Sequence, residues 1–265
     1  MERSKVSCNS AIFFMLLHLL HLGRIGYAEA LELQQELVAL RKQQQIGDVL
    51  LLLEHPPVLT LGRNAHRANI LASDEELAWR GIGVHEIDRG GDVTYHGPGQ
   101  IVGYPIVDLR REFPGKEGPH LGAVEYVRWL EEVLIRTCAE YGVLTQRIAG
   151  RTGVWTLSGG SIPVKKIAAI GVHISQGITS HGFAWNVTTD LRDFRLIVPC
   201  GIADCAVTSL EEEIDERAGA MPTLEQAMHA VARNFGRIFG RQVLWTESIE
   251  ALLHKSLPGN ARGSD

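Results

Sequence analysis

The chain has 265 residues, of which 26 are Lys or Arg and 31 are Asp or Glu, for a formal charge of −5. With 45% hydrophobic and 22% charged residues it has an ordinary globular make-up, which excludes intrinsic disorder, a collagen and a multi-span membrane protein, and its acidic balance argues against nucleic-acid binding as the main function. Four cysteines, Cys8, Cys138, Cys200 and Cys205, are too few and too scattered for a secreted disulfide framework and point to thiols in a reducing compartment.

Taken in chain order, Arg3 and Lys5 precede the apolar run Ala11 to Leu20, and Ala28-Glu29-Ala30 follows where a signal peptidase would cut. His18 and His21 interrupt that run, which is also shorter than the roughly 20 apolar residues of a membrane span. The supposed cleavage site lies inside an amphipathic pattern, Tyr27, Leu31, Leu33, Leu37 and Leu40, that continues to Gln45. The reading is a strand from Met15 to Gly23 feeding a helix, with residues 1–12 a loose extension and a cytoplasmic location. Asp48 to Glu54 is an apolar strand stopped by His55-Pro56-Pro57 and resumed by Val58 to Gly62. Val84 to Asp88 and Gln100 to Leu109 are further strands with a glycine-rich loop between them.

Leu121 to Tyr141 carries Val124, Val127, Leu130, Val133, Leu134 and Cys138 at helical spacing, with Gly142 as its C-terminal stop. Gly153 to Leu157, Lys166 to Ser175 and Gly182 to Thr188 read as strands of an antiparallel or mixed sheet. Thr208 or Ser209 caps a short glutamate-rich helix, Thr223 caps a helix from Leu224 to Phe239, and Val243 to Trp245 is a last strand. No repeat or linker divides the chain. The expectation is one α/β domain over residues 13–248, with the part after about 210 a helical appendix and 249–265 a C-terminal tail.

The densest chemistry lies in Arg89-Gly90-Gly91-Asp92-Val93-Thr94-Tyr95-His96-Gly97-Pro98-Gly99-Gln100. Its glycines let the backbone approach a ligand, and its Arg, Thr, Tyr and His supply polar handles; the plain alternative is a β-hairpin. Cys200 stands between Pro199 and Gly201, either as a buried small hydrophobe or as a nucleophile. A thiol reacts only as thiolate, so it needs a cation nearby, for which Lys165, Lys166, His96 and His181 are candidates. Strand alternation lets only one of Lys165 and Lys166 face the buried side, and regular pleating puts Lys166 on the face of Ala168. His55 reads as a turn residue on the rim of a site. Cys200 and Cys205 lack a second ligand pair for zinc, and no His-Glu-x-x-His, G-x-S-x-G or Walker loop occurs, so no metal or cofactor is expected.

Together these segments resemble the octanoyltransferases of lipoate biosynthesis. The resemblance runs from about Leu20 to Phe239 through Leu20-His-Leu-Gly23, Glu54-His-Pro-Pro-Val-Leu-Thr-Leu-Gly-Arg63, Arg89 to Gln100, Tyr104-Pro-Ile-Val-Asp-Leu109, Gly153-Val-Trp155, Lys166-Ile-Ala-Ala-Ile-Gly171, His181-Gly-Phe-Ala-Trp-Asn186 and Pro199-Cys-Gly-Ile202. It implies the fold of biotin and lipoate protein ligase catalytic domains, a mixed sheet flanked by helices. It implies transfer of octanoyl from acyl carrier protein to a lysine of lipoyl-domain proteins, those of 2-oxoacid dehydrogenases and the glycine cleavage system; the chain itself is expected to be a monomer. By the same match Cys200 accepts the acyl group and Lys166 is its partner. The acyl site is lined by Arg89, Gly90, Gly91, Asp92, Val93, Thr94, Tyr95 and His96, by Ala169, Ile170 and Gly171, and by Gly182, Phe183 and Ala184. The competing readings are an ATP-dependent lipoate or biotin ligase, an amidotransferase between lipoyl domains and a non-catalytic lipoyl-domain binder.

Overall fold

The computed structural model describes residues 16–113, 120–157, 164–199, 206–215 and 220–256. Its large sheet begins with β1 (Leu16–Arg24), which lies parallel to both β2 (Asp48–Glu54) and β12 (Gln242–Trp245). Beyond β2 the sheet continues antiparallel through β6 (Gln100–Ile106), β10 (Ile178–Asn186), β9 (Lys165–Ser175), β8 (Arg151–Thr156) and β7 (Thr145–Ile148). The two-residue β11 (Ala206–Val207) runs parallel to the start of β9. A second sheet has β3 (Val58–Leu61) between β4 (Gly83–Glu86) and β5 (Val93–His96).

β2 reads as an unbroken apolar run because it is covered on both faces. Leu50 and Leu52 pack with Trp185 and Phe183 under α3 (Ala123–Glu140) and α5 (Leu224–Phe239), while Val49, Leu51 and Leu53 pack with Tyr104 and Ala184 under α1 (Tyr27–Lys42). Ser209 caps the short α4 (Leu210–Glu213), and helix α5 starts at Thr223 with a full capping box from Gln226. Gly142 beyond α3 takes φ +76°, the left-handed stop expected of it.

The structure corrects several expectations. Val58 to Leu61 does not resume β2; the two prolines turn it into the small sheet. Val93–His96, expected within a loop, is strand β5, and Gly97-Pro98-Gly99 carries the chain from the small sheet to the large one rather than closing a hairpin. Val124, assigned to the buried stripe of α3, is 76% exposed, being in the first turn before the helix meets the sheet. The segment after 210 is no appendix: α5 forms much of one core face and β12 completes the sheet beside β1. A helix over Asp74–Trp79 (α2), capped by Ser73, and strand β7 carry too weak a hydrophobic period to be read from sequence. Residues 249–256 form α6, whose Leu252 is buried against the α1 face of the sheet. Among the described residues no helix is long and apolar enough to cross a membrane.

Candidate active site

A cavity of about 200 Å³ lies where the small sheet leans over β9 and β10. Its floor is made of small residues in register: Ala169 opposite Ala184 and Gly171 opposite Gly182. Ile170 and Phe183 complete that side, and Arg89 to Thr94 together with His96 cover it. The close fit needs glycine: a Cβ on Gly171 would sit 2.7 Å from the Gly90 carbonyl oxygen and 3.0 Å from Arg89 Cδ. Arg89 is buried and folds back to donate to the Thr60 carbonyl at 2.8 Å and the Thr60 hydroxyl at 2.9 Å, which pins the glycine loop to β3.

Lys166 lines the cavity, only 5% exposed, and it does so through an irregularity of β9. Between the pairs Val154–Ala168 and Trp155–Lys166 one step on β8 spans two on β9, a β-bulge that reverses the facing of the strand before Ala168. Lys166 therefore shares the cavity with Ala169, while Ala168 packs in the core; regular pleating, which puts Lys166 with Ala168, is corrected here. Lys165 points elsewhere and pairs with Glu213 at 2.9 Å. The Lys166 Nζ lies 4.6 Å from the centroid of the buried Trp155 ring.

Toward the other end stand Tyr27, Tyr104 and His181, with His55 just behind. Nδ1–H of His55 donates to the Ile25 carbonyl and Nε2 accepts from the Tyr104 hydroxyl, both at 2.8 Å, which fixes a neutral tautomer. Burial pushes the His55 imidazole down to about 4 and that of His96 to about 3. His96 gives its Nδ1–H to Gln100 at 2.7 Å, leaving its lone pair on Nε2. Gln100 donates on to Asn186, and Asn186 to the Thr208 carbonyl, so a buried polar chain links His96 to the backbone beside β11. His181, at φ +54°, bonds Asp88 at 2.7 Å; burial lowers the histidine, while at Asp88 burial pushes the carboxyl up but is outweighed by the His181 bond together with the charges of His181 and His173, which hold it below its usual range.

Of the residues expected here, Lys166, Arg89, Gly90, Gly91, Asp92, Val93, Thr94, His96, Ala169, Ile170, Gly171, Gly182, Phe183 and Ala184 all line the cavity. Tyr95 does not. On β5 it alternates with Thr94 and His96, packs on Phe194 and donates to Asp193 at 3.1 Å. Tyr27, Tyr104 and Arg151 line the cavity without being expected there, and His181, expected only as a candidate cation for the thiol, lines it as well. Cys200 lies outside the described residues, as do Cys8 and Cys205. Its flanks are described: Val198 N–H donates to the Asn69 carbonyl at 2.7 Å, and Pro199 and Val207 share a small hollow with Lys166. Cys138 is buried in the core, and burial pushes its thiol up to about 12, so it is no nucleophile. No group of three or more His, Cys, Asp or Glu side chains among the described residues is placed to hold a metal ion.

Residues 26–236 match the lipoyl protein ligase A/B catalytic domain. The chain belongs to that family. An octanoyltransferase of Acidobacterium capsulatum is 70% identical over 90% of this chain and 96% of its own, and one of Koribacter versatilis is 55% identical over 93% and 94%. This member of the lipoyl protein ligase A/B family is accordingly an enzyme, an acyltransferase. The solved bi-partite lipoate protein ligase of Thermoplasma acidophilum superposes with a TM-score of 0.68 at 16% identity, covering 91% of each chain, a likeness of fold.

Proposed function

We propose that this acyltransferase moves an octanoyl group from acyl carrier protein to a lysine of lipoyl-domain proteins, through a thioester on Cys200. The observation that carries the reading is the ammonium of Lys166 turned by the β9 bulge into a cavity floored by Ala169, Gly171, Gly182 and Ala184. Such a cavity suits a straight alkyl chain, and at about 0.8 kcal/mol per methylene, burying six or seven contributes roughly 5 kcal/mol to selecting it.

The Cys200 thiolate, favoured by the Lys166 ammonium, attacks the carrier thioester. The carrier thiolate departs and takes the Lys166 proton, leaving a neutral amine. The acceptor lysine then attacks the Cys200 thioester and gives its proton to Lys166 as the Cys200 thiolate leaves. Thioester exchange is close to balanced and amide formation runs downhill, so no ATP is required. The names of the Acidobacterium and Koribacter relatives support octanoyl as the cargo, and the E2 lipoyl domain described with the Thermoplasma ligase supports a lipoyl-domain acceptor. The test is mass spectrometry after incubation with octanoyl-acyl carrier protein without ATP. An octanoyl adduct on Cys200 that transfers to a lipoyl domain is expected; no adduct, an adduct elsewhere, or a requirement for ATP overturns the reading.

A further inference from the structure

We propose that Trp155 is the positioning residue of this site: its indole face holds the Lys166 ammonium at the cavity wall and so fixes where that amine gives and takes a proton. The inference rests on the catalytic role given to Lys166 above. A buried ammonium has lost most of its water, and the face of an indole is the aromatic surface that attracts a cation most strongly. Lys166 Nζ sits 4.6 Å from the ring centroid, and Trp155 is fully buried, so the contact is shielded from solvent.

The ring is itself held. Its Nε1–H donates to the carbonyl of Arg151, the first residue of the same strand, at 3.2 Å, and the Arg151 guanidinium carbon lies 5.9 Å from the centroid. Trp155 is also the β8 residue paired with Lys166 at the bulge, so backbone and side chain fix the same two residues together. A lysine stem has four rotatable bonds, and an ammonium that must serve two successive proton transfers needs them restrained. The bulge chooses the face, and the indole chooses the position along it.

The test compares the Trp155→Phe and Trp155→Leu enzymes with wild type, Lys166→Ala and the double variant Trp155→Leu/Lys166→Ala. Trp155→Leu is expected to lower kcat by roughly tenfold with KM for octanoyl-acyl carrier protein within about twofold, Trp155→Phe to recover most of the loss, and Trp155→Leu to add nothing once Lys166 is gone. The Lys166 ε-methylene protons are expected to show an upfield ring-current shift in wild-type protein, identified by its loss in Lys166→Ala and absent from Trp155→Leu. An unchanged kcat in Trp155→Leu, an equal further loss on top of Lys166→Ala, or an unshifted Lys166 signal in wild type overturns the proposal; the last stands even if Trp155→Leu fails to fold. Full activity in Lys166→Ala would instead overturn the catalytic reading while leaving the ring-current signal intact.

Discussion

Gly153 and Lys166 meet where β8 crosses the bulge of β9, and the absence of a side chain at Gly153 makes room for the lysine. A Cβ there would lie 3.3 Å from Lys166 Cε and 2.6 Å from the Ala168 carbonyl oxygen, on a backbone at φ +124° that other residues rarely adopt. Gly153 N–H also donates to the buried Glu131 carboxylate at 3.1 Å, so the strand cannot easily retreat. Gly153→Ala is therefore expected to cost about 1–3 kcal/mol of stability and to displace Lys166, cutting kcat roughly tenfold or more for a misplacement worth about 1.4 kcal/mol. Thermal unfolding and steady-state transfer assays on the same preparation check both, and wild-type values in both would refute the crowding argument.

A second glycine controls the opposite wall. Since a Cβ on Gly171 meets the Gly90 carbonyl oxygen and Arg89 Cδ, Gly171→Ala must push the Arg89–Asp92 loop outward or narrow the cavity. Either result weakens octanoyl binding more than it affects the proton transfers at Lys166. The expectation is a rise in KM for the octanoyl donor of about tenfold, the equivalent of roughly 1.4 kcal/mol of lost binding, with kcat much less affected. Donors of four to ten carbons assayed side by side would reveal whether shorter chains suffer less; a kcat defect with unchanged KM counts against the placement of the acyl chain.

Away from the site, Asp48 is buried at the start of β2 between two arginines. Its carboxylate accepts from Arg41 at 3.0 Å and from Arg241 at 3.3 Å, and its Oδ1 also takes the Asp108 N–H at 3.1 Å. These bonds tie α1 and the turn after α5 to the sheet. Asp48→Ala leaves two buried guanidinium groups short of a partner, and the expected loss is about 3–5 kcal/mol, read as a lower urea midpoint. An unchanged midpoint would mean that the arginines find other partners.

How far the sequence could be read depended on whether local pattern or tertiary contact decided each element. β2 was legible to the residue because seven apolar and terminal polar positions ended at two prolines, and α5 because Thr223 and Gln226 announce its start. The floor residues Ala169, Gly171, Gly182 and Ala184 were legible as small side chains in two adjacent strands. The facing of Lys166 was not, because a bulge is set by the strands on either side and leaves no period in the sequence. Tyr95 was drawn into the site with its neighbours since a loop has no facing, whereas β5 alternates and turns it onto Phe194. His55 looked like a turn residue; its enclosure by Tyr27, His96 and Tyr104 comes from α1, β5 and β6, three separate parts of the chain.

That enclosure gives the protein a specific response to acid. His55 is neutral in the folded state down to about 4, since burial opposes its charge, while in the unfolded chain it titrates near its ordinary 6.5. Between those values the unfolded chain binds a proton that the folded chain refuses, so stability is full above 6.5 and falls as the pH drops toward 4. At about 1.4 kcal/mol for each unit of separation, His55 alone accounts for a loss on the order of 3 kcal/mol across that window, and His96, lowered still further, adds a loss of the same sign. His55→Gln is neutral at every pH, so it is expected to be less stable than wild type at pH 7.5, having lost the bond geometry to Ile25 and Tyr104, yet to lose less on going to pH 4.5. Urea denaturation at half-unit steps from pH 7.5 to pH 4.5 measures the two slopes directly. Parallel curves for wild type and His55→Gln would show that the His55 ring takes up its proton without opening the fold.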